Sequence, residues 1–531
     1  VAELRGFDTG TGFSLHADVE AVLRGIDAAS DRVRLESYGR SVEGRDLWLV
    51  WISAPENLVR LDELKSANRG VVEGHPAPVK GRPIFVWLSF GVHGDEASST
   101  EAALELVYHL GASADPEVAG WLDRAVVIVD PLLNPDGHER YAAWFRSVVG
   151  PVPDPDPEAR EHRPPWPSGR TNHWYADLNR DWAWGVQPET RARLAAYLAT
   201  MPHVHVDFHE MDAGSTYFFF PAAPPIHGYY PASTGEWGRI FGEANAAAFD
   251  ARGWAYFTGE DFDLYYPGYG DSWPSFLGAT GMTYEQAGGG EAGVVLERPG
   301  DGVLTLSDRV SRHLTAALVT IETAIENRER RLADFDAFWR SPDRVAPGAP
   351  AAWAVSGPHA AEAALAELLV RQGIRVDTLA ATARELTLEP FAGTRDADSL
   401  PPGTLLIASD QPLGRYAAAL LEPTAALPDT SLFYDITGWS IPFLYDVDAW
   451  RVGALPEDRD AWVASAPRAS QPVPPEAVAL AWPYEELADV VAAGRLAAGG
   501  VRVRVADRPF TAEGKRFPRG SFVVAAEPRP G

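Results

Sequence analysis

Pro83-Ile-Phe-Val-Trp-Leu-Ser-Phe90 leads straight into Gly91-Val-His-Gly-Asp-Glu96. The first stretch is apolar at nearly every residue rather than at every second one, the pattern of a strand buried on both faces. A helical stretch, Ser98 to Leu110, follows at once. Working outward, Leu47-Trp-Leu-Val-Trp-Ile-Ser53, Ala125-Val-Val-Ile-Val-Asp130, Val204-His-Val-Asp-Phe208 and Gly281-Met-Thr-Tyr-Glu285 read as further strands. Helices are expected at about His16 to Ala29, at Pro188 to Thr200 with Pro in its first turn, and as one long helix from Asp308 to Phe338. Asn134-Pro-Asp-Gly137 reads as a turn, and Pro151 to Gly169 as an irregular loop. Strands alternating with helices predict an α/β layer on a mostly parallel or mixed sheet.

A chain of 531 residues exceeds one ordinary core, so at least two domains are expected. The Pro-rich stretch Trp339 to Ala351 marks a boundary, giving domains at 1–340 and 345–531. In the second, Ala352-Trp-Ala-Val-Ser356, a helix from His359 to Gln372 and Ile374-Arg-Val-Asp377 predict a βαβ unit. Thr404-Leu-Leu-Ile-Ala-Ser409, Ser431-Leu-Phe-Tyr434 and Ser521-Phe-Val-Val-Ala525 continue it as strands.

The net charge of −28 argues against nucleic acid and anionic lipid as partners. No run reaches the roughly 18 to 20 apolar residues of a membrane helix, so a soluble protein is expected. With no cysteine, thiolate catalysis, disulfides and Cys-type metal sites are excluded. Any metal must rest on His, Asp and Glu. The start at Val1 rather than Met points to a removed signal peptide or a trimmed chain, and with the former to an extracellular or periplasmic protein.

A catalytic zinc takes three protein ligands and leaves a place for water. His93-x-x-Glu96, on a turn after a buried strand, offers two that can converge. His359-Ala-Ala-Glu362 repeats the spacing, but there Glu362 reads as first-turn acid on a helix. A third ligand must come from elsewhere. His209 stands at the end of its strand, where α/β sheets gather ligands; His205, about 13 Å back along the same strand, reads as a core histidine, as does His203.

Six blocks then occur in order: Gly39-Arg-Ser-Val-Glu-Gly-Arg45, His93-Gly-Asp-Glu96, Asn134-Pro-Asp-Gly137, Asp177-Leu-Asn-Arg-Asp-Trp182, Asp207-Phe-His209 and Thr283-Tyr-Glu285. Together they resemble the zinc carboxypeptidases of the carboxypeptidase A-like family, over roughly Asp31 to Gly290, as a bacterial-type member with an extra C-terminal α/β domain. The resemblance implies a three-layer α/β/α fold with a mixed sheet. It implies one zinc ion on His93, Glu96 and His209, and Glu285 as general base. Asn179 and Arg180 would hold a substrate's terminal carboxylate, since arginine's planar fork suits one. Asp177 would orient a ligating imidazole, and Tyr266 would close over substrate, with Tyr265 and Tyr269 as alternatives. Arg146, after Trp144, matches the oxyanion-stabilising arginine, in competition with Arg140 and Arg170. The side-chain pocket is expected near Ser272 to Phe276. Glu210, Met211, the Pro-rich loop and Gly288 to Gly290 depart from the digestive members.

The expected partner is a peptide with a free C-terminal carboxylate. The alternatives are a zinc amidohydrolase or deacylase acting on N-acyl amino acids or peptidoglycan stem peptides, and a metal-free binding module on the same fold. The tail resembles an amidotransferase-like α/β module without the cysteine nucleophile such a module needs, so a non-catalytic role is expected of it.

Overall fold

The computed structural model describes residues 1–298, 300, 302–340, 344–357, 359–384, 386–424, 435, 437–455, 462–464, 477–484 and 487–525. Its backbone falls into two compact units. The first comprises Val1–Ala349 with Arg371–Ile374 and Ser409–Trp439; the second comprises Pro350–Val370, Arg375–Ala408 and Ser440–Gly531.

The first unit is built on a seven-stranded sheet: β1 (Val33–Arg40), β2 (Asp46–Ile52), β3 (Ile84–Phe90), β4 (Ala125–Asp130), β5 (Val204–Met211), β6 (Tyr217–Phe218) and β7 (Thr280–Ala287). Their spatial order is β1-β2-β4-β3-β5-β7-β6. The four central strands run parallel, and β1, β2 and β6 add antiparallel margins. The unbroken apolar reading of β3 has its reason here, because helices cover both faces. Trp87 and His205, in register on β3 and β5, turn toward Tyr197 of helix Pro188–Thr200. Phe90 and Phe208, also in register, turn the other way, and Phe208 meets His313 of helix Leu306–Glu326. The result is the mixed α/β sheet with a helical layer on each side that the six blocks imply.

Two local readings change. Asn134-Pro-Asp-Gly137 is not a free turn but the start of helix Pro135–Val148: the Asn134 side chain accepts the Gly137 N–H at 3.0 Å, and Pro135 fills the first helical position. Both are helix-start devices. The backbone of that helix lies so close to Gly94 that a Cβ there would stand 2.1 Å from the His138 nitrogen, so only glycine lets the 91–96 loop dock. The long helix expected over 308–338 is two helices, Leu306–Glu326 and Arg328–Arg340, parted at Asn327; the first opens with a capping box from Thr305 to Asp308.

In the second unit, Ala352–Ser356 and Asp377–Leu379 both pair antiparallel with Leu405–Ala408 between them. They therefore run parallel to each other, joined through helix His359–Arg371. The βαβ expected there is a split one. The expected strand at 431–434 lies outside the described residues. Among the described residues no helix is long and apolar enough to cross a membrane.

One buried pair ties the helical layer to the sheet near the expected ligands His93, Glu96 and His209. Glu210, on β5, accepts from Arg309 Nη1 at 2.9 Å and from the Ser98 N–H at 2.8 Å, with both charged side chains almost wholly enclosed. Arg309→Ala would leave Glu210 buried without its counter-ion, which costs about 3–5 kcal/mol. A loss of stability of that size is expected in denaturant unfolding of the whole protein. A change within about 0.5 kcal/mol, the scale of an ordinary surface substitution, would show that the pair does not hold the layers together.

Candidate functional site

Three parallel strands end at one place. His93 and Glu96 sit on the loop after β3, His209 lies near the end of β5, and Glu285 pairs in register with His209 from β7. Parallel neighbours in register point to the same face about 4.8 Å apart, so Glu285 stands beside His209. Such strand ends are where open α/β sheets bind ligands.

His93, Glu96 and His209 are all buried, and one donor atom from each lies within 4.8 Å of the others. His93 Nδ1 is 2.7 Å from Glu96 Oε1. His209 Nδ1 is 3.1 Å from Glu96 Oε2 and 3.3 Å from His93 Nδ1. The far nitrogens fix which way each ring faces. His93 Nε2 meets Asp177 Oδ1 at 3.1 Å, and Arg170 Nη1, which can only donate, lies 3.3 Å from His93 Nδ1. With its proton on Nε2 against Asp177, His93 would turn the Nδ1 lone pair toward a cation shared with Glu96. His209 Nε2 lies 3.1 Å from Asp207 Oδ2 and also faces the Asn179 amide, so an acid stands at the far end of this ring too. Asp207, two residues before His209, is an acid behind that ring which the sequence analysis does not single out; the DxH alternation, which puts both side chains on one face, is the signal for it. Gly270 makes room, since a Cβ there would lie 2.0 Å from Asp207 Oδ2.

Glu96 is held by more than the imidazoles, for its Oε2 also accepts the Glu210 N–H at 2.8 Å. Burial opposes its charge, but His93 and His209 hold its carboxyl well below the ordinary range. Burial alone would lower His209; the carboxylates of Asp207, Glu285 and Glu96 outweigh it and hold His209 well above its ordinary value. Burial raises Glu285, and the charge of Glu96 adds to that. Two imidazoles and a carboxylate facing one point, each imidazole backed by an acid, fit a divalent cation of zinc's chemistry.

These residues line a cavity of about 440 Å³, with Arg170, Asn179, Arg180, Tyr269, Asp271 and Thr283 also on its wall. Other expected residues lie differently. Arg146 is carried away by helix Pro135–Val148, where its guanidinium holds the Phe13 carbonyl at 2.7 Å and Asp18 at 2.6 Å. Of its two competitors, Arg140 is committed to the carbonyls of Ser168 and Thr171. Arg170 reaches the cavity, braced on Asp177 Oδ2 by Nε and Nη2. Tyr266 is fully buried away from the cavity: its hydroxyl donates to the Arg180 carbonyl and accepts from Trp184 Nε1, each at 2.9 Å. Tyr269 is the tyrosine on the wall. Asn179 lines the cavity with its amide engaged at both ends, Oδ1 by the Gly270 N–H at 2.8 Å and Nδ2 3.2 Å from His209 Nε2. Trp273, near which the pocket was expected, packs in the core against Trp182 and Tyr197.

Residues 19–198 match the family described as Zinc carboxypeptidase. Carboxypeptidase D of Mus musculus is 34% identical over 150 residues, 28% of this chain and 10% of that protein. Carboxypeptidase M of Mus musculus is 28% identical over 166 residues, 31% of this chain and 29% of that protein. For carboxypeptidase 2 of Trichophyton rubrum the figures are 26% over 215 residues, 40% and 32%. The chain thus spans between a tenth and a third of the length of these curated relatives. Among solved structures, a metallo-carboxypeptidase from Burkholderia cenocepacia aligns at 19% identity with a TM-score of 0.39, over 58% of this chain and 69% of that one.

The raised His209 makes metal binding a proton exchange. Below its elevated pKa the metal-free ring carries a proton where a cation needs a lone pair. Zinc affinity is therefore expected to fall as pH falls through that raised value, with protons released on binding there. Calorimetry in buffers of different ionisation enthalpy measures that release; binding with no protons released would refute the charge state assigned to His209.

Proposed function

From a chain whose residues 19–198 carry a zinc carboxypeptidase domain, we propose a zinc-dependent metallocarboxypeptidase that removes the C-terminal residue of peptides in its first unit. The observation that carries the proposal is the convergence of His93, Glu96 and His209, with Glu285 in register alongside.

Zinc held by these three residues would act as a Lewis acid and bring the pKa of a water toward about 7. Glu285 takes the proton of the attacking water and returns it to the leaving nitrogen; burial, which raises its carboxyl, suits it to hold a proton between those steps. Arg170, not Arg146, donates to the carbonyl oxygen as charge develops on it, braced by Asp177. Arg180 takes the substrate's terminal carboxylate, with Tyr269 rather than Tyr266 beside it on the cavity wall. Tyr266 and Asn179 support that arrangement from behind, through the Arg180 carbonyl and the Gly270 N–H.

Three measurements test this. Protein purified without chelator should contain one zinc per chain, and His209→Ala should lose it; a metal-free wild type would refute the site. Glu285→Gln should keep the metal and lower kcat by about 10²–10⁴-fold, the usual weight of a general base; undiminished turnover would place the base elsewhere. A peptide with a free C-terminus should be cleaved far faster than its C-terminally amidated twin, and equal rates would remove the carboxylate from the recognition.

A further inference from the structure

Arg180 already grips a carboxylate. Asp435, which belongs to the same compact unit, places Oδ2 2.5 Å from Arg180 Nε. The same oxygen accepts the Tyr269 hydroxyl at 2.8 Å, and Oδ1 accepts the Thr437 N–H at 2.6 Å. The Arg180 guanidinium also lies over the Tyr269 ring, 4.7 Å from its centre. Asp435 is 4% exposed at its side chain and Arg180 21%. Trp439 fixes the same segment by packing on Tyr265 and Tyr266. A guanidinium and a tyrosine hydroxyl meeting on one carboxylate oxygen form a carboxylate-recognition site, filled here from within the chain.

We propose that Asp435 is an internal competing ligand for Arg180, seated where the substrate's terminal carboxylate binds, so that productive binding must displace it. The inference rests on the reading of Arg180 given above. It makes Asp435 a specificity-determining residue. A substrate that offers Arg180 only a weak acceptor leaves the internal pair closed, whereas a terminal carboxylate carries the charge needed to exchange with it. The seat is selective because it has a competitor.

The test uses the full-length, zinc-loaded protein and a matched pair of peptides, one with a free and one with an amidated C-terminus. Asp435→Asn keeps the shape and the acceptor for Thr437 while removing the charge. If the open state is on the order of a tenth of the population, the variant should lower KM for the free peptide roughly tenfold. Values of kcat for both peptides, and KM for the amidated one, should stay within about twofold. Asp435→Ala, assayed alongside, should move KM the same way. Glu260→Gln, at an exposed acid that is not among the residues lining the cavity, removes another negative charge and should leave KM nearly unchanged.

A higher KM in Asp435→Asn would show that Asp435 orients Arg180 instead of competing for it. An unchanged KM, or an equal fall in Glu260→Gln, would also overturn the proposal. Equal cleavage of the two peptides by the wild type would instead defeat the reading of Arg180 itself. That outcome is seen before any variant is compared.

Discussion

Two imidazoles can turn their lone pairs toward the same point inside a protein only if something at their far ends holds them there. In this structure the holders are Asp177 behind His93 and Asp207 behind His209. Facing nitrogens 3.3 Å apart repel unless a ring N–H or a cation lies between them. The site is therefore poised for a cation, and in its absence for a proton. Everything nearby serves that arrangement. Gly270 gives Asp207 room, the Glu210 N–H pins Glu96, and Gly94 lets the loop after β3 settle against a helix start. Were either acid lost, its imidazole could rotate, and the shared focus would go with it.

The sheet converts this local demand into a fold. The focus needs residues from three separate strands, and parallel neighbours deliver them because their carboxyl ends lie on the same edge. The register between β5 and β7 then decides that the acid beside His209 is Glu285 and not a neighbour whose side chain points the other way. Glu210 follows His209 directly and, by the same alternation, faces the opposite layer, where it pairs with Arg309. One residue's difference along a strand separates a group of the candidate site from a structural one.

Much of this was legible in the sequence, and the boundary of legibility has physical causes. Strands buried on both faces announce themselves by composition, and the helix over His16–Ala29 was placed by its pattern. The cluster His93, Glu96 and His209 could be read because each member lies beside such a strand. Arg146 shows where reading fails. It and Arg170 both follow the Asn-Pro-Asp-Gly block, and only the direction of helix Pro135–Val148 sends one to Phe13 and the other to the cavity. The choice between Tyr266 and Tyr269 likewise hung on loop geometry that no periodicity encodes. Asp435 had no local signal at all, because its meaning lies in Tyr269, 166 residues earlier in the chain.

The first unit is not one continuous piece of chain, and that has a consequence for how it comes to exist. Gln372 accepts from Trp273 Nε1 at 2.6 Å and donates to the carbonyls of Trp182 and Ala183 at 2.8 Å each. Ser409–Trp439 returns later still, carrying Asp435. During synthesis the sheet with its candidate ligands is complete in sequence by β7, yet the elements that close around it have not been made. At roughly 5–20 residues per second, the nascent chain spends several seconds with those surfaces exposed. Order of synthesis thus gives the protein an interval in which its candidate metal-binding face is formed but unfinished.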